Sequence, residues 1–530
     1  MRNFETTGRS LAVGQSGMAA TSHPVATLTA IEVLKAGGNA MDAAIAACAV
    51  QCVVEPGSTG IGGDCFALYA PEGSTNVVAY NGSGRLPAAA TVDALAAPGA
   101  LAIERHSPHA VSVPGAVDAW ARLNADHGRM PLRDVLAPAI AMAREGYAIA
   151  PRVAYDTRKE VELLRREPTV RDTFLVDGEA PSIGATQRQP LLADTLEQIG
   201  REGAAGFYTG AIAADMVEYL RSKGGLHTLE DFAEAKGEYV APISTTYRGR
   251  TIYECPPNGQ GVVALLILNI LQRFELKGDP LDPDTLFLKA EASRLAYAER
   301  DALLADPSQS PVPVEDLLSD ALADRLAAKI RLDQANAITL PPLAVEHADT
   351  VYISVVDKAR NTVSFINSIF NAYGSGLMAP KSGVLFHNRA QSFSLQKGHP
   401  NCAAPRKRPL HTIIPGMAAQ NGRVCLTFGV MGGHYQAMGH AYFLSAVFDH
   451  GTDLQAAAEL PRLFPRPDNG LVEMEDRLRG SLTADFERRG LKVTAPSGPI
   501  GGAQAIAIDW ETGALFGGSD PRKDGCALGY

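Results

Sequence analysis

The chain has 530 residues, 46% of them hydrophobic, and its formal net charge is −10 at pH 7. This composition is typical of an ordinary globular protein, and the acidic balance argues against a nucleic-acid binder, which would carry a basic stripe. No apolar run reaches the roughly 20 residues of a membrane helix. The N-terminal residues also lack the apolar core of a signal peptide. We therefore expect a cytoplasmic protein with no nucleic-acid or membrane partner.

The seven cysteines do not form a recognisable ligand or disulfide pattern. They are odd in number and scattered, without a Cys-x-x-Cys pair or a Cys/His set at zinc spacing. Most stand among apolar neighbours, which favours buried thiols over disulfides. We predict no metal and no organic cofactor.

The N-terminal part of the chain alternates strand and helix patterns. Residues 11–20 are predicted to form one strand, and Pro24 opens a helix that the glycines at 37–38 end. Residues 43–54 are apolar on all sides, which indicates a buried helix. The glycine-rich run 57–63 lacks a following Gly-Lys-Ser/Thr, so it favours close backbone packing over phosphate binding.

The middle of the chain is mostly helical. Helical periodicity dominates residues 115–225, and apolar helices are predicted over 262–271 and 286–304. Residues 424–430 then form a core strand that ends in a Gly-Gly pair. No repeat and no Pro/Gly/Ser-rich linker divides the chain, so we expect one α/β unit.

A hairpin pattern begins at Thr350. Residues 350–357 alternate as in a strand, and 362–370 return as a second strand after a short turn. The preceding residues 341–349 have the composition of an irregular, exposed connector. Thr350 therefore starts a strand directly after a cleavable linker.

Cleavage before Thr350 would place a free α-amino group beside its hydroxyl. A Thr hydroxyl needs a base to become a nucleophile, and an N-terminal amine can serve. With a pKa of about 8, that amine can accept and return a proton near neutral pH. On the strand pattern alone, Thr350 is better explained as a good β-former.

The sequence around this hairpin resembles the γ-glutamyltranspeptidase family. The similar segments are 349–358, Gly374-Ser-Gly376, Arg408-Pro-Leu410 and Gly432-Gly433, and others, such as 37–44, 112–116, 206–210 and 518–522, cover nearly the whole chain. Members of this family are N-terminal-nucleophile hydrolases that cleave their own precursor. The resemblance implies an α/β fold, a four-layer αββα sandwich of two stacked sheets between helices. It also implies a large subunit (1–349) and a small subunit (350–530) within one globular unit.

The family's catalytic positions are largely present. The resemblance implies that Thr350 is the nucleophile and that Ser368, 18 residues on, replaces a family Thr that holds it. It also implies that Gly432 and Gly433 bind the acyl oxygen. Without the family, a strand-end serine would be interpreted as a turn cap and the Gly-Gly pair as a turn.

The family's substrate-recognition residues are not matched. The carboxylate-binding Arg falls at Ser83, the amine-binding Asp at Ser392 and a recognition Asn at Phe370, while paired serines become His411 and Thr412. A buried charge needs a partner. We therefore expect recognition of a free γ-glutamyl group to be weakened or replaced.

Other residues are candidates for substrate binding. Arg85 and Arg389 stand near the lost positions and either could bind an anionic acyl group, or lie at the surface. His411 could titrate near neutral pH or be a satisfied polar group beside Thr412. The stretch 394–407 is too short for the lid loop of longer family members. We expect an open site in which hydrolysis dominates over transfer.

These observations predict a γ-glutamyltransferase-like amidohydrolase that acts on a small-molecule amide. Two alternatives keep the chemistry and change the substrate, to an oxamate-type amide or to that of a cephalosporin-type acylase. A third alternative is an uncut, non-enzymatic binding protein. The expected partners are the two subunits of the same precursor, and a homodimer is left open.

Overall fold

The computed structural model describes residues 4–5, 7–95, 99–338 and 350–530. Its strands are β1 (Ala12–Gly14), β2 (Met18–Ala20), β3 (Asp64–Ala70), β4 (Val78–Gly82), β5 (Tyr147–Ala148), β6 (Thr186–Gln187), β7 (Glu238–Val240), β8 (Ile243–Tyr247), β9 (Arg250–Glu254), β10 (Val351–Val356), β11 (Thr362–Ser368), β12 (Gly416–Gln420), β13 (Arg423–Met431), β14 (Leu463–Pro465), β15 (Val472–Met474), β16 (Val493–Thr494), β17 (Gly502–Ile508), β18 (Leu515–Ser519) and β19 (Ala527–Gly529).

Helices occupy most of the remaining chain. They are α1 (Pro24–Lys35), α2 (Ala40–Val54), α3 (Val92–Leu95), α4 (Ala116–His127), α5 (Leu132–Glu145), α6 (Pro151–Lys159), α7 (Val161–Leu164), α8 (Pro168–Phe174), α9 (Pro190–Glu202), α10 (Ala205–Tyr208), α11 (Gly210–Ser222), α12 (Leu229–Ala233), α13 (Gly261–Leu271), α14 (Pro283–Leu303), α15 (Val314–Leu317), α16 (Asp320–Ala327), α17 (Tyr435–Phe448), α18 (Leu454–Glu459) and α19 (Asp476–Arg488). None of these described helices is both long enough and apolar enough to cross a membrane.

Two seven-stranded antiparallel sheets pack face to face. The first has the order β1-β18-β17-β13-β12-β9-β8, and the second β19-β2-β10-β11-β3-β4-β7. Tyr352 of β10 crosses the gap, where its hydroxyl lies 3.3 Å from Oγ1 of Thr427 on β13. Its ring lies against Gly429, where an added Cβ would be 2.3 Å from a ring carbon. The sheets therefore approach too closely for a larger residue there.

Helices cover the outer face of each sheet. Helix α2 packs on β10 and β11, in one apolar cluster with Ile353 and Phe365. Helices α13 and α17 share a second cluster with Phe428 and Val430 of β13. The order helix, sheet, sheet, helix confirms the predicted αββα sandwich.

Helix α2 is buried along its whole length, as its all-apolar pattern predicts. Asn39 caps it and forms a capping box with Asp42. The remaining polar side chain, Gln51, donates to Ser22 Oγ at 2.7 Å and to Glu55 Oε2 at 2.9 Å. Small side chains elsewhere let the helix lie close to the second sheet.

The predicted hairpin forms in the centre of the second sheet. Strand β10 pairs with β11 in a register that puts Val351 opposite Asn367. Strand β11 then pairs with β3, with Ser368 opposite Asp64. Thr350, one residue before β10, therefore lies beside the last residue of β11.

Residues 11–20 form two strands, not the single strand predicted. Strand β1 pairs with β18 in the first sheet, and β2 pairs with β10 and β19 in the second. The N–H groups of Gln15 and Ser16 both donate to the carbonyl of Tyr530. This turn carries the chain from one sheet to the other.

Both sheets contain strands from each side of residue 350. In the first sheet β1, β8 and β9 precede that residue and the other four strands follow it. In the second sheet β2, β3, β4 and β7 precede it. The two segments thus fold as one unit, while the connector 341–349 and the predicted cleavage point lie outside the described residues.

Candidate active site

Thr350 and Ser368 form the centre of the site. Thr350 Oγ1 lies 3.2 Å from Ser368 Oγ, and both residues are fully buried. The Ser368 oxygen accepts the Phe370 N–H at 2.9 Å and Arg389 Nη2–H at 3.4 Å. Two donors thus converge on the oxygen whose hydroxyl lies within hydrogen-bond distance of Thr350.

Arg389 brings a positive charge into this pocket. Its Nη1 donates to Thr412 Oγ1 at 2.8 Å, and its guanidinium carbon lies 4.0 Å from the centroid of the Phe370 ring. No carboxylate of the described residues lies within 4.0 Å of the guanidinium, and its buried Nε has no hydrogen-bond partner there. The Nε–H is therefore a charged donor that an anion can engage.

Burial lowers the pKa of Arg389 to about 9, although the Asp64 carboxylate opposes this shift. The guanidinium therefore remains protonated at neutral pH. Phe370 beneath it has φ of 78°, an unusual conformation for a bulky residue. Strained residues of this kind cluster at functional sites.

Asp64, at the start of β3, is a buried carboxylate that interacts electrostatically with Arg389. Its Oδ1 accepts the N–H groups of Gly84 at 2.9 Å and Gly115 at 3.2 Å. Its Oδ2 lies 2.9 Å from His411 Nε2 and 3.6 Å from His387 Nδ1. The carboxylate thus ties the loops that enclose the pocket to the end of β11.

The charge states of this cluster follow from its burial. Burial opposes ionisation of Asp64, but His387, His411 and Arg389 outweigh it and lower its pKa to about 2. Burial and then the Arg389 charge lower the pKa of His411 to about 3, despite Asp64. At neutral pH His411 is therefore neutral and donates its Nε2–H to Asp64, while Arg389 and Asp64 carry opposite charges.

The Gly-Gly turn lies at the end of β13. Gly432 and Gly433 have φ of 119° and 56°, and their carbonyls accept the N–H groups of Tyr435 and Gln436 at the start of α17. The structure gives neither glycine N–H an acceptor among the described residues. Two such N–H groups can receive an oxyanion.

A network of buried hydrogen bonds holds the carbonyl side of this turn. Gln260 Nε2 donates to the carbonyls of Gly433, at 3.0 Å, and of Thr412, at 2.8 Å. Its Oε1 accepts Arg300 Nη1–H at 3.1 Å, and the same Nη1 lies 3.0 Å from His434 Nδ1. Neither Gln260 nor Arg300 could be recognised from the sequence, because their hydrogen-bond partners near the Gly-Gly turn are more than 100 residues away along the chain.

The other predicted positions are more distant from Thr350 in the network of contacts. Ser83 Oγ accepts the Asn258 side-chain amide at 3.0 Å. Arg85 Nη1 contacts Asp306 Oδ2 at 3.2 Å, and Arg85 lines a separate cavity of about 390 Å³ together with Ser83. Ser392 Oγ is buried with no hydrogen-bond partner in the described part of the chain.

Of the eight predicted site residues, four are joined by hydrogen bonds. Arg389 donates to Ser368 and to Thr412, and Ser368 is hydrogen-bonded to Thr350. His411 joins the same cluster through Asp64. Asp64 and His387 were not predicted as site residues, and the only local signal for Asp64 is the Gly62-Gly63-Asp64 sequence at the head of β3.

The described residues contain no group of three or more His, Cys, Asp or Glu that could hold a metal ion. All seven cysteines are free thiols.

Comparison with known proteins agrees with this geometry. The family model described as gamma-glutamyltranspeptidase matches residues 26–530. The chain is 35% identical to the glutathione hydrolase-like YwrD proenzyme of Bacillus subtilis and 33% identical to the oxamate amidohydrolase proenzyme of Klebsiella pneumoniae, and each match covers 98% of this chain and 99% of the relative. The crystal structure of cephalosporin acylase from Bacillus halodurans superposes with a TM-score of 0.92 at 38% identity, covering 100% of this chain and 98% of the other.

The fold and these matches define an N-terminal-nucleophile hydrolase that is made as a proenzyme. The chain belongs to the γ-glutamyltranspeptidase family. The resemblance noted in the sequence is thereby confirmed, and with it the enzymatic class.

Proposed function

We propose that the precursor cleaves itself between Asp349 and Thr350, and that Thr350 then hydrolyses an amide whose acyl group carries a carboxylate. The hydrogen bond between Thr350 Oγ1 and Ser368 Oγ, 3.2 Å long, is the observation that carries this proposal. It places a buried hydroxyl pair at the head of a central strand, with a cation on the same serine.

The reaction is an acyl transfer in two halves. Thr350 Oγ attacks the amide carbonyl, its own α-amine takes the hydroxyl proton, and the N–H groups of Gly432 and Gly433 stabilise the oxyanion. The C–N bond breaks and the amine leaves with that proton. Water then attacks the ester, the C–O bond breaks, and the acid and free Thr350 are released.

Arg389 supplies the acyl specificity in this proposal. The carboxylate binds the Nε–Nη2 edge in a bidentate manner. The family's amine-binding position is the uncharged Ser392, whose hydroxyl cannot neutralise an ammonium. An acyl group with a carboxylate and no α-ammonium therefore fits better than a γ-glutamyl group.

The distances also favour a short acyl chain. The contacts of 3.2 Å and 3.4 Å through Ser368 place Arg389 Nη2 at most about 6.6 Å from Thr350 Oγ1. In oxalyl amides the carboxylate carbon is one bond, about 1.5 Å, from the reacting carbonyl. In glutaryl or γ-glutamyl amides it lies about 5 Å away when extended, so these acyl groups would have to fold back. Oxamate, the substrate in the name of one relative, meets the requirement.

Cleavage is tested by intact mass and denaturing electrophoresis of wild type, Thr350→Ala and Thr362→Ala. Thr362 is a buried threonine at the head of the neighbouring strand, so it is a matched control. We expect two fragments split at 349/350 from wild type and Thr362→Ala, and one chain from Thr350→Ala. If the wild type remained a single chain under every condition, Thr350 would have no free α-amino group and the proposed nucleophile would be ruled out.

Acyl specificity is tested by comparing oxamate, a glutaryl anilide and a γ-glutamyl anilide as substrates of the cleaved enzyme. The proposal expects the highest kcat/KM for oxamate. Preference for the γ-glutamyl anilide would return the assignment to the glutathione hydrolases.

A further inference from the structure

The two oxygens of the Asp64 carboxylate have different partners. Oδ1 accepts the N–H groups of Gly84 and Gly115, and the oxygen of a neutral amide could accept both of them equally well. Oδ2 faces two imidazoles, with His411 Nε2 at 2.9 Å and His387 Nδ1 at 3.6 Å. The loop contacts therefore need an oxygen at this position, but they do not need a negative charge.

The position nevertheless carries a fixed negative charge. Asp64 is fully buried, where an ionised carboxylate is costly to hold. Burial raises the pKa of this carboxyl, but His387, His411 and Arg389 outweigh burial and hold that pKa at about 2. The carboxylate is therefore ionised at neutral pH, although the fold of the loops does not require the charge.

Asp64 balances the charge of Arg389 without a direct ion pair. Burial lowers the pKa of Arg389, and the Asp64 charge opposes that shift. No carboxylate in the described part of the chain lies within 4.0 Å of the guanidinium. The hydrogen bonds of Asp64 to Gly84, Gly115 and His411 hold it in place, so the Arg389 Nε–H stays open to a ligand.

Asp64 also lies close to the nucleophile. It is the cross-strand partner of Ser368, and the side chains of such partners lie on one face of a sheet, with Cβ atoms about 5 Å apart. Ser368 Oγ is in turn 3.2 Å from Thr350 Oγ1. A ligand that reaches from Arg389 to Thr350 therefore has a negative charge near both of its ends.

Hydrolysis changes the charge of such a ligand. The substrate is a monoanion, because its acyl group carries one carboxylate and its amide is neutral. Water adds to the carbonyl and the C–N bond breaks. Oxamate and water, for example, give the oxalate dianion and an ammonium ion, so the total charge stays at −1. The new carboxylate forms at Thr350, where the Asp64 charge repels it and did not repel the amide.

We propose that the charge of Asp64 weakens binding of the dicarboxylate product relative to the monoanionic substrate, and thereby promotes product release. The inference rests on the proposed function, because it needs one carboxylate at Arg389 and the new one at Thr350. Without the Asp64 charge, the attraction of the Arg389 guanidinium would favour the dianion over the monoanion.

The test measures ligand binding to the cleaved enzyme by isothermal titration calorimetry. Oxalate is the dianion and glycolate is a monoanion of similar size. The variant is Asp64→Asn, whose amide oxygen can keep the contacts of Oδ1. The control is Asp357→Asn, which changes a buried carboxylate that accepts the N–H groups of Ala40 and Asn361 at the other end of β10.

We expect Asp64→Asn to bind oxalate at least tenfold more tightly than wild type does, and to bind glycolate more tightly by a smaller factor. Asp357→Asn should bind both ligands as wild type does. In steady-state kinetics with oxamate, the inhibition constant of oxalate relative to KM should fall at least tenfold in Asp64→Asn. Damage to the pocket would weaken binding of both ligands, so a purely structural role of Asp64 predicts the opposite change.

Oxalate affinity that is unchanged or weaker in Asp64→Asn would overturn the inference. Wild type provides a second measurement that does not depend on the variant folding. It should prefer oxalate over glycolate by less than tenfold, and a larger preference would also overturn the inference. Arg389→Met separates this result from the proposed function, because oxalate binding that this variant leaves intact would count against the acyl site at Arg389 itself.

Discussion

Replacing Arg389 by Met should weaken binding of the acyl carboxylate much more than it changes the free energy of unfolding. Methionine keeps an unbranched stem and removes the charge and the donors to Ser368 and Thr412. A hydrogen bond to a charged group contributes about 1.5–3 kcal/mol, so losing a bidentate carboxylate contact should cost about 3–4 kcal/mol. We expect kcat/KM for a carboxylate-bearing acyl amide to fall about 10²–10³-fold.

Stability should change much less. The pKa of Arg389 falls from 12.5 to about 9, which corresponds to a cost of about 5 kcal/mol for holding the charge in the fold. Removing the charge would therefore gain that amount, but the loss of two hydrogen bonds to a charged group would offset about 3–6 kcal/mol of it, and Asp64 would lose a nearby cation. Because buried charges are often replaced by apolar groups without loss, we expect the free energy of unfolding to change by less than about 2 kcal/mol.

The assay compares oxamate with oxamide, its neutral analogue, and follows unfolding by chemical denaturation. Wild type should prefer oxamate, and Arg389→Met should treat the two alike. Arg389→Lys, which keeps the charge without the planar fork, should lie between them. Wild-type kcat/KM for oxamate in Arg389→Met, at unchanged stability, would refute the role given to the guanidinium.

Three further changes test the site. Ser368→Ala should lower kcat about 10²-fold at similar KM, since the hydroxyl that is hydrogen-bonded to Thr350 Oγ1 is lost, and Ser368→Thr should retain activity; equal kcat in Ser368→Ala would contradict this. Gln260→Leu should lower kcat about tenfold with KM unchanged, because the Gly433 carbonyl loses its donor. Steady-state kinetics measures both constants, and an unchanged kcat would show that the Gly432-Gly433 turn does not depend on Gln260. His411 has a folded pKa of about 3, below its ordinary 6.5, so its contribution to stability is complete above about pH 6.5 and is lost as the pH falls towards 3, by about 1.4 kcal/mol per pH unit. Denaturation at pH 7 and pH 5 should therefore show a shallower loss in His411→Gln than in wild type, and identical losses would reject the neutral imidazole.

The fold could be predicted well where local pattern and burial agree. The buried helix over 43–54, the hairpin after Thr350 and the strand over 424–430 all form within a few residues of their predicted bounds. The prediction of a single strand over residues 11–20 was wrong because a strand pattern does not show which sheet each half joins. That choice depends on the Tyr530 carbonyl, more than 500 residues away.

The site was predictable only in part, for the same reason. Ser368 stands at a fixed distance from Thr350 along one hairpin, so its place follows from the sequence. Arg85 and Arg389 looked equivalent, and only the packing places Arg389 beside Ser368 and Arg85 beside Asp306. Asp64 was not predicted because its four partners, Gly84, Gly115, His387 and His411, come from four separate segments of the chain.

Because both sheets contain strands from each side of residue 350, a cut before Thr350 cannot release either piece as a folded unit. The two pieces pair with each other within both sheets, and in the second sheet β2 of the first piece is hydrogen-bonded on both edges to strands of the second piece, β10 and β19. Separation would require breaking whole ladders and exposing both apolar clusters, which amounts to global unfolding. The mature enzyme would therefore behave in equilibrium unfolding as a noncovalent heterodimer with no folded monomers, and its refolding would depend on protein concentration whereas that of the uncut precursor would not.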